Sequence, residues 1–147
     1  MKKILSTCIL VASTLLATTL LASCQPKNRI IEKPFYLTRN TPSIEVSRIS
    51  LTDTITVLDM IVSGMPDTWI GIAPTSTLTD NQKNVYTILS GKGIKLGEGF
   101  VIPGSGKGTF QLLFPPLNPD AQWIDFSEGP EVKDGFMIGG IQLKDMK

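Results

Sequence analysis

The chain has no histidine and only two cysteines, Cys8 and Cys24, among its 147 residues. Without an imidazole, neither a Ser-His-Asp nor a Cys-His nucleophile can be assembled, because each needs a base that exchanges protons near neutrality. The usual zinc and copper sites are excluded with it, being built from His and Cys ligands. Aromatic residues are few, at 7% of the chain, and charge is nearly balanced, with 14 Lys and Arg against 13 Asp and Glu. That balance leaves no basic footprint for nucleic acid. Carboxylate or lysine chemistry, an oxygen-ligated metal, or binding without chemistry remain open, and no organic cofactor is implied.

What is present begins with Met1-Lys2-Lys3, followed by an apolar run from Ile4 to Leu21. A charged head before an apolar segment is the layout of a secretory signal. A permanent span is the alternative, since the run approaches the ~20 residues a crossing helix needs. Ser and Thr dilute it, however, and no basic stop signal follows directly. Leu21-Ala22-Ser23-Cys24 resembles the lipobox of bacterial lipoproteins, in which small side chains fit the signal-peptidase groove and the thiol accepts diacylglycerol. The resemblance implies removal of residues 1–23, lipidation of Cys24 and stable anchoring by two or more acyl chains. Cys8 then leaves with the signal and Cys24 is consumed, so the mature chain has neither disulfide nor free thiol. It has 124 residues, the size of one domain with a real core, and 12 basic against 13 acidic side chains.

Gln25 to Pro42 is polar and broken by Pro26, Pro34 and Pro42, with a small apolar patch at Phe35-Tyr36-Leu37. Residues 24–42 are therefore expected to be a lipidated tether, the patch docking as an edge strand, and residues 43–147 the folded domain. From Ser43 the pattern is β. Ile44, Val46, Ile49 and Leu51 alternate with polar residues, with a phase shift at Arg48-Ile49 of the kind a bulge makes. Thr54 to Val62 is rich in β-branched residues. Trp69 to Ile72, Thr75 to Thr79, Val85 to Ser90, Ile94 to Leu96, Phe100 to Ile102, Thr109 to Phe114, Trp123 to Phe126 and Phe136 to Leu143 complete the set. Asp80 to Asn84 is the expected hairpin turn. With 13 Gly and 10 Pro recurring between these segments, the expectation is an all-β, immunoglobulin-like antiparallel β-sandwich of about seven to nine strands.

The spaced positions Trp69-Ile70-x-Ile72, Gly93-Ile94-x-Leu96-Gly97, Phe110-x-Leu112-x-Phe114, Ile124-Asp125-Phe126-x-Glu128-Gly129 and Phe136-x-Ile138-x-Gly140-Ile141-x-Leu143 resemble a β-rich envelope module of Bacteroides-type lipoproteins. That module often precedes a thioredoxin-like domain. The resemblance implies an accessory or interaction role and supplies no catalytic residues. This sequence has no Cys-x-x-Cys, so the copy has no redox chemistry of its own. It also implies the outer membrane, and Gln25-Pro26-Lys27-Asn28, which lacks acidic residues after the lipidated Cys, points to the periplasmic face.

Four constellations could carry chemistry. Pro103-Gly104-Ser105-Gly106-Lys107-Gly108-Thr109 is similar to a phosphate loop, but Val101 stands where its leading glycine belongs. Phe110 to Pro116 then alternates and ends in two prolines, where a phosphate loop must open a helix. A glycine-rich hairpin turn is expected. Asp125, Glu128, Glu131 and Asp134 could offer oxygen ligands, yet match no calcium spacing, so a solvated turn is expected and no metal site. Asp125 and Glu128 stand too close in sequence to straddle a glycosidic bond unless the fold separates them. Trp69 and Trp123 are the remaining candidates for ligand contact, against an ordinary packing role beside Ile70 and Ile124.

The sequence thus describes a membrane-anchored, non-enzymatic module that binds an envelope protein, with a glycan of a polysaccharide-uptake system as the alternative ligand. Its anchoring has a direct test. Cys24→Ala loses metabolic labelling by a clickable fatty acid, and equal label in variant and wild type ends the lipoprotein reading.

Overall fold

Thr56–Ser63 alternates strictly: Thr56, Leu58, Met60 and Val62 are buried while the residues between them are half-buried. Side chains of a strand point to opposite faces with period two, so this stretch buries one face completely. It is the fourth of twelve strands in the computed structural model, which describes residues 28–144. The expected signal sequence, and Cys24, lie outside the described residues.

In chain order the strands are β1 (Arg29–Glu32), β2 (Thr38–Arg39), β3 (Ile44–Leu51), β4 (Thr56–Ser63), β5 (Trp69–Gly71) and β6 (Thr77–Asp80), then β7 (Val85–Thr87), β8 (Ser90–Lys92), β9 (Gly99–Val101), β10 (Lys107–Phe114), β11 (Trp123–Ser127) and β12 (Met137–Gln142). One five-stranded sheet runs β1-β3-β4-β10-β8 and a second runs β2-β12-β11-β6-β7; β5 and β9 form a separate ribbon. Every pairing is antiparallel, and no described residue is helical. The inward residues of both sheets form one apolar core. Within it the rings of Phe114 and Phe126 meet edge-on across the sheets at 6.5 Å. Full burial of side chains such as Leu58, Leu112, Ile124 and Ile138 contributes roughly 1.5–3 kcal/mol each.

The all-β expectation holds, but the strand count exceeds seven to nine for two local reasons. First, Arg29–Glu32 and Thr38–Arg39, expected within the tether, pair with β3 and β12 instead. Ile31 is buried in the core, and the Phe35 carbonyl accepts from the Gln142 N–H. Second, the expected strand from Val85 to Ser90 is split. The Ile88 N–H donates to Ser76 in one sheet and the Leu89 N–H donates to Leu113 in the other. The chain changes sheets between two apolar residues, with no Gly or Pro to mark it. In the other direction, Trp69–Gly71 and Gly99–Val101 form the expected strands as a ribbon, while Ile94 to Leu96, expected as a strand, is loop.

The phase shift in β3 is a bulge: Val46 faces Met60 and Arg48 faces Asp59, leaving Ser47 as the extra residue. Its hydroxyl donates to the Asp59 carbonyl at 3.0 Å. The outer face of this sheet carries a polar row in register, Glu32-Arg48-Asp59-Gln111-Lys92. Arg48 lies 3.3 Å from Glu32 and 3.8 Å from Asp59, and Gln111 donates to Asp59 at 2.6 Å. Such partly exposed ion pairs contribute little stability, but they keep this face wet.

The β6–β7 hairpin forms at the expected place. The Lys83 N–H donates to Asp80 at 3.0 Å, and Lys83 itself is left-handed, at φ 68°. That conformation costs a side chain with a Cβ ~1–2 kcal/mol, against about 0.5–1 kcal/mol of added chain entropy for glycine. Lys83→Gly should therefore raise the free energy of unfolding by about 0.5–1 kcal/mol, measured by urea denaturation; a loss of stability overturns this account of the turn.

Candidate functional site

β5 and β9 pair with Trp69 opposite Val101, Ile70 opposite Phe100 and Gly71 opposite Gly99. The alternation gives this ribbon two faces. Ile70 and Phe100 turn inward, continued by the buried Ile72 and Ile102. Phe100 packs on Phe110 with ring centroids 5.4 Å apart, and its ring occupies the space a Cβ at Gly108 would need. The outer face is Trp69, Gly71, Gly99 and Val101. An exposed ribbon ordinarily presents polar residues there. Here Trp69 is 72% exposed, Val101 59% and nearby Met65 74%. The Trp69 ring leans over Gly99, whose missing Cβ would stand 3.5 Å from it. One ring face is thus supported by bare backbone while most of the side chain is open to solvent, beside a second glycine.

The loops that carry the ribbon are fixed by a buried carboxylate. Glu128, 4% exposed, accepts from the Ala73 N–H at 2.7 Å through Oε1 and from the Phe136 N–H at 2.6 Å through Oε2. The Thr75 hydroxyl donates to the Glu128 carbonyl at 2.9 Å. Glu128 therefore ties the loop after β5 to the turn between β11 and β12. Removing it would strand buried donors at about 1–3 kcal/mol each. The expected solvated acidic turn is corrected here: Glu131 and Asp134 are exposed, but Glu128 is interior. Asp125 is likewise committed. β12 places both Gly139 and Gly140 opposite it, and Oδ1 of Asp125 accepts from the Gly140 N–H at 2.7 Å. The two carboxylates serve different backbone breaks and do not face a common cleft. Among the described residues, no three acidic side chains converge on a point.

Trp123 sits elsewhere, half-buried on the outer face of the second sheet. With Leu37, Arg39 and Met137 it lines a shallow groove of about 500 Å³. Leu37 lies over Gly140 in the space a side chain there would fill. Structure thus separates the two tryptophans and leaves only Trp69 openly exposed. Pro103 to Gly106 forms the turn between β9 and β10, and Lys107 opens a strand, so the glycine-rich loop meets no helix N-terminus.

The opposite end of the domain holds the densest polar network. Asp80, fully buried, accepts from the Gln82 and Asn84 N–H groups at 2.8 and 3.0 Å through Oδ1. Its Oδ2 accepts from the Asn84 amide and the Tyr86 hydroxyl, both at 2.9 Å. Tyr86 in turn accepts from the Asn118 N–H at 3.0 Å. Burial pushes the Asp80 carboxyl up, but the hydrogen bonds from Asn84, Tyr86 and Gln82 outweigh it and hold it below the ordinary value. Burial raises the Tyr86 phenol; the Asn118 N–H opposes this, and the bond and charge of Asp80 reinforce it.

No protein-family model, curated protein or solved structure matches this chain. The reading of its sites rests on geometry alone.

Asp80 generates a pH signature. Because folding lowers its carboxyl, its stabilisation is fully present above the ordinary carboxylate value near ~3.9 and is lost as pH falls through the lowered folded value. Asp80→Asn should be less stable than wild type at pH 7, with the two converging in acid when urea midpoints are followed from pH 7 to 3. Parallel curves would show that Asp80 does not titrate as described.

Proposed function

We propose that this chain is a lipid-anchored, non-enzymatic binding module of the bacterial cell envelope, with an immunoglobulin-like strand order, that meets its partner through the β5–β9 ribbon. Strand order supports the fold reading. β3-β4-β10-β8 corresponds to A-B-E-D of an immunoglobulin sandwich and β12-β11-β6-β7 to G-F-C-C′, with β1 and β2 added at the edges. In that correspondence the ribbon belongs to the B–C and D–E loops, and the Glu128 turn to the F–G loop, all at one end. Loops held on a rigid sandwich are where such folds place recognition.

The observation that carries the reading is the outer face of the ribbon. Tryptophan is enriched among residues that dominate binding energy, because its large rigid area is buried at low entropic cost. Trp69 is exposed beside Val101 and Met65, on a ribbon whose inner face is already anchored. The carboxylates, by contrast, are spent on structure, which favours binding over catalysis. The lipobox resemblance supports the lipid anchor, the envelope-module resemblance supports the outer membrane, and the residues after Cys24 support the periplasmic face.

A glycan is the second reading, favoured by one feature. The Trp69 ring is flanked by Gly71 and Gly99, which leaves a flat floor on which a pyranose C–H face could stack.

The test uses the full lipoprotein in intact envelopes. A photo-cross-linking residue at Val101 should capture a discrete protein, and Trp69→Ala should abolish the product without lowering thermal stability. Loss of a contact of this kind costs ~2 kcal/mol or more. A product that survives Trp69→Ala sinks the ribbon as the site. Quenching of Trp69 fluorescence by a glycan in a Trp123→Phe background would instead establish the second reading.

A further inference from the structure

β4 fixes the two ends of the domain. Thr56 at its start pairs with Leu51, which pairs with Arg29, where the described chain enters; Ser63 at its other end pairs with Lys107, beside the ribbon. Eight strand residues at ~3.4 Å put roughly 24 Å between these ends. Around the entry point lies a groove of about 920 Å³ whose walls include Arg29, Leu51, Val85, Tyr86, Pro116 and Leu117. Val85 on its rim is 62% exposed.

Several backbone donors at this end of the domain are already paired. Asp80 takes those of Gln82 and Asn84, and Tyr86 takes that of Asn118. The Asp120 N–H donates to Asn118 Oδ1 at 3.0 Å, the Gln122 N–H to Asn81 Oδ1 at 2.7 Å, and the Ile55 N–H to Thr52 Oγ1 at 3.0 Å. A surface whose donors are satisfied internally loses water at little cost, whereas orphaned donors would resist drying.

We infer that this end of the domain, with Val85 foremost, rests on the interface of the bilayer that holds the lipid of Cys24. The inference depends on the lipidation reading and goes beyond it. Four residues separate Cys24 from Arg29, so an extended leash of five residue steps spans at most about 17 Å. An acylated Cys24 sits at the headgroup layer, itself roughly 5–7 Å deep on each side. The entry end is thus held within about 17 Å of the headgroups, and the groove rim at Val85 is the apolar surface that faces them. Arg29 and Asp53 oppose each other in charge on the same groove, so its net charge cancels and contact needs no anionic lipid. The same placement turns Trp69 away from the anchoring leaflet.

Because Cys24 is the only cysteine after residue 23, a single cysteine introduced elsewhere is a clean labelling site once Cys24 is acylated. The purified full lipoprotein, as Val85→Cys or Val101→Cys, would carry an environment-sensitive fluorophore in neutral phosphatidylcholine vesicles containing nitroxide lipid. The probe at position 85 should shift to the blue and lose most of its emission to the nitroxide, unchanged by salt; the probe at position 101 should remain as in water. Equal behaviour at both positions, or quenching at 101 alone, overturns the docking while leaving the anchor intact. An unacylated mature protein by mass, or one that does not float with vesicles, overturns the anchor itself and the docking with it.

Discussion

The pairing of β4 with β10 is the constraint on which the rest hangs. Eight consecutive residues of each strand face one another without a shift, from Thr56 opposite Phe114 to Ser63 opposite Lys107. Slipping this register by one residue would turn Leu58, Met60 and Val62, or Phe110 and Leu112, out of the core. Because burial is so one-sided here, the register is specified by side chains alone, and the long strands set the height of the domain. The entry end and the ribbon end take their positions from it.

At both ends, buried carboxylates do the work that regular pairing does inside the sheets. Glu128 accepts from two loops that no strand connects, and Asp80 closes a hairpin whose turn residues have no ladder partners. A buried N–H must find an acceptor somewhere, and in both places a single acidic side chain supplies two. This is why Glu128, which looked in sequence like an available ligand, is spent before any solute arrives.

The central strands, the bulge near Arg48 and the Asp80–Asn84 turn were legible because period-two alternation and turn chemistry are local signals. The sheet change at Ile88-Leu89 was not, since two apolar residues in a row look like an uninterrupted strand. Nor were β1 and β2, whose few apolar side chains, Ile31 among them, are interspersed with the prolines and charges of a linker. Trp69 was visible as a candidate, but its partners were not: Gly99 and Val101 lie about thirty residues away and meet it only through ribbon pairing. The alternation Trp69-Ile70-Gly71-Ile72 against Gly99-Phe100-Val101-Ile102 held the signal that the outer positions are Trp, Gly, Gly and Val. Glu128 carried no mark of burial, because the donors that hold it come from Ala73 and Phe136.

The direction in which β1 leaves the domain has a mechanical side. Arg29 lies at the outer end of the β1–β3 ladder, and the strand runs inward from there towards Glu32. Tension drawn on the N-terminus along the strand axis therefore loads the β1–β3 hydrogen bonds together, in shear. Exit from the Glu32 side would have peeled them one at a time, at far lower force. With the N-terminus anchored and the ribbon bound as proposed, the domain would bear strain lengthwise.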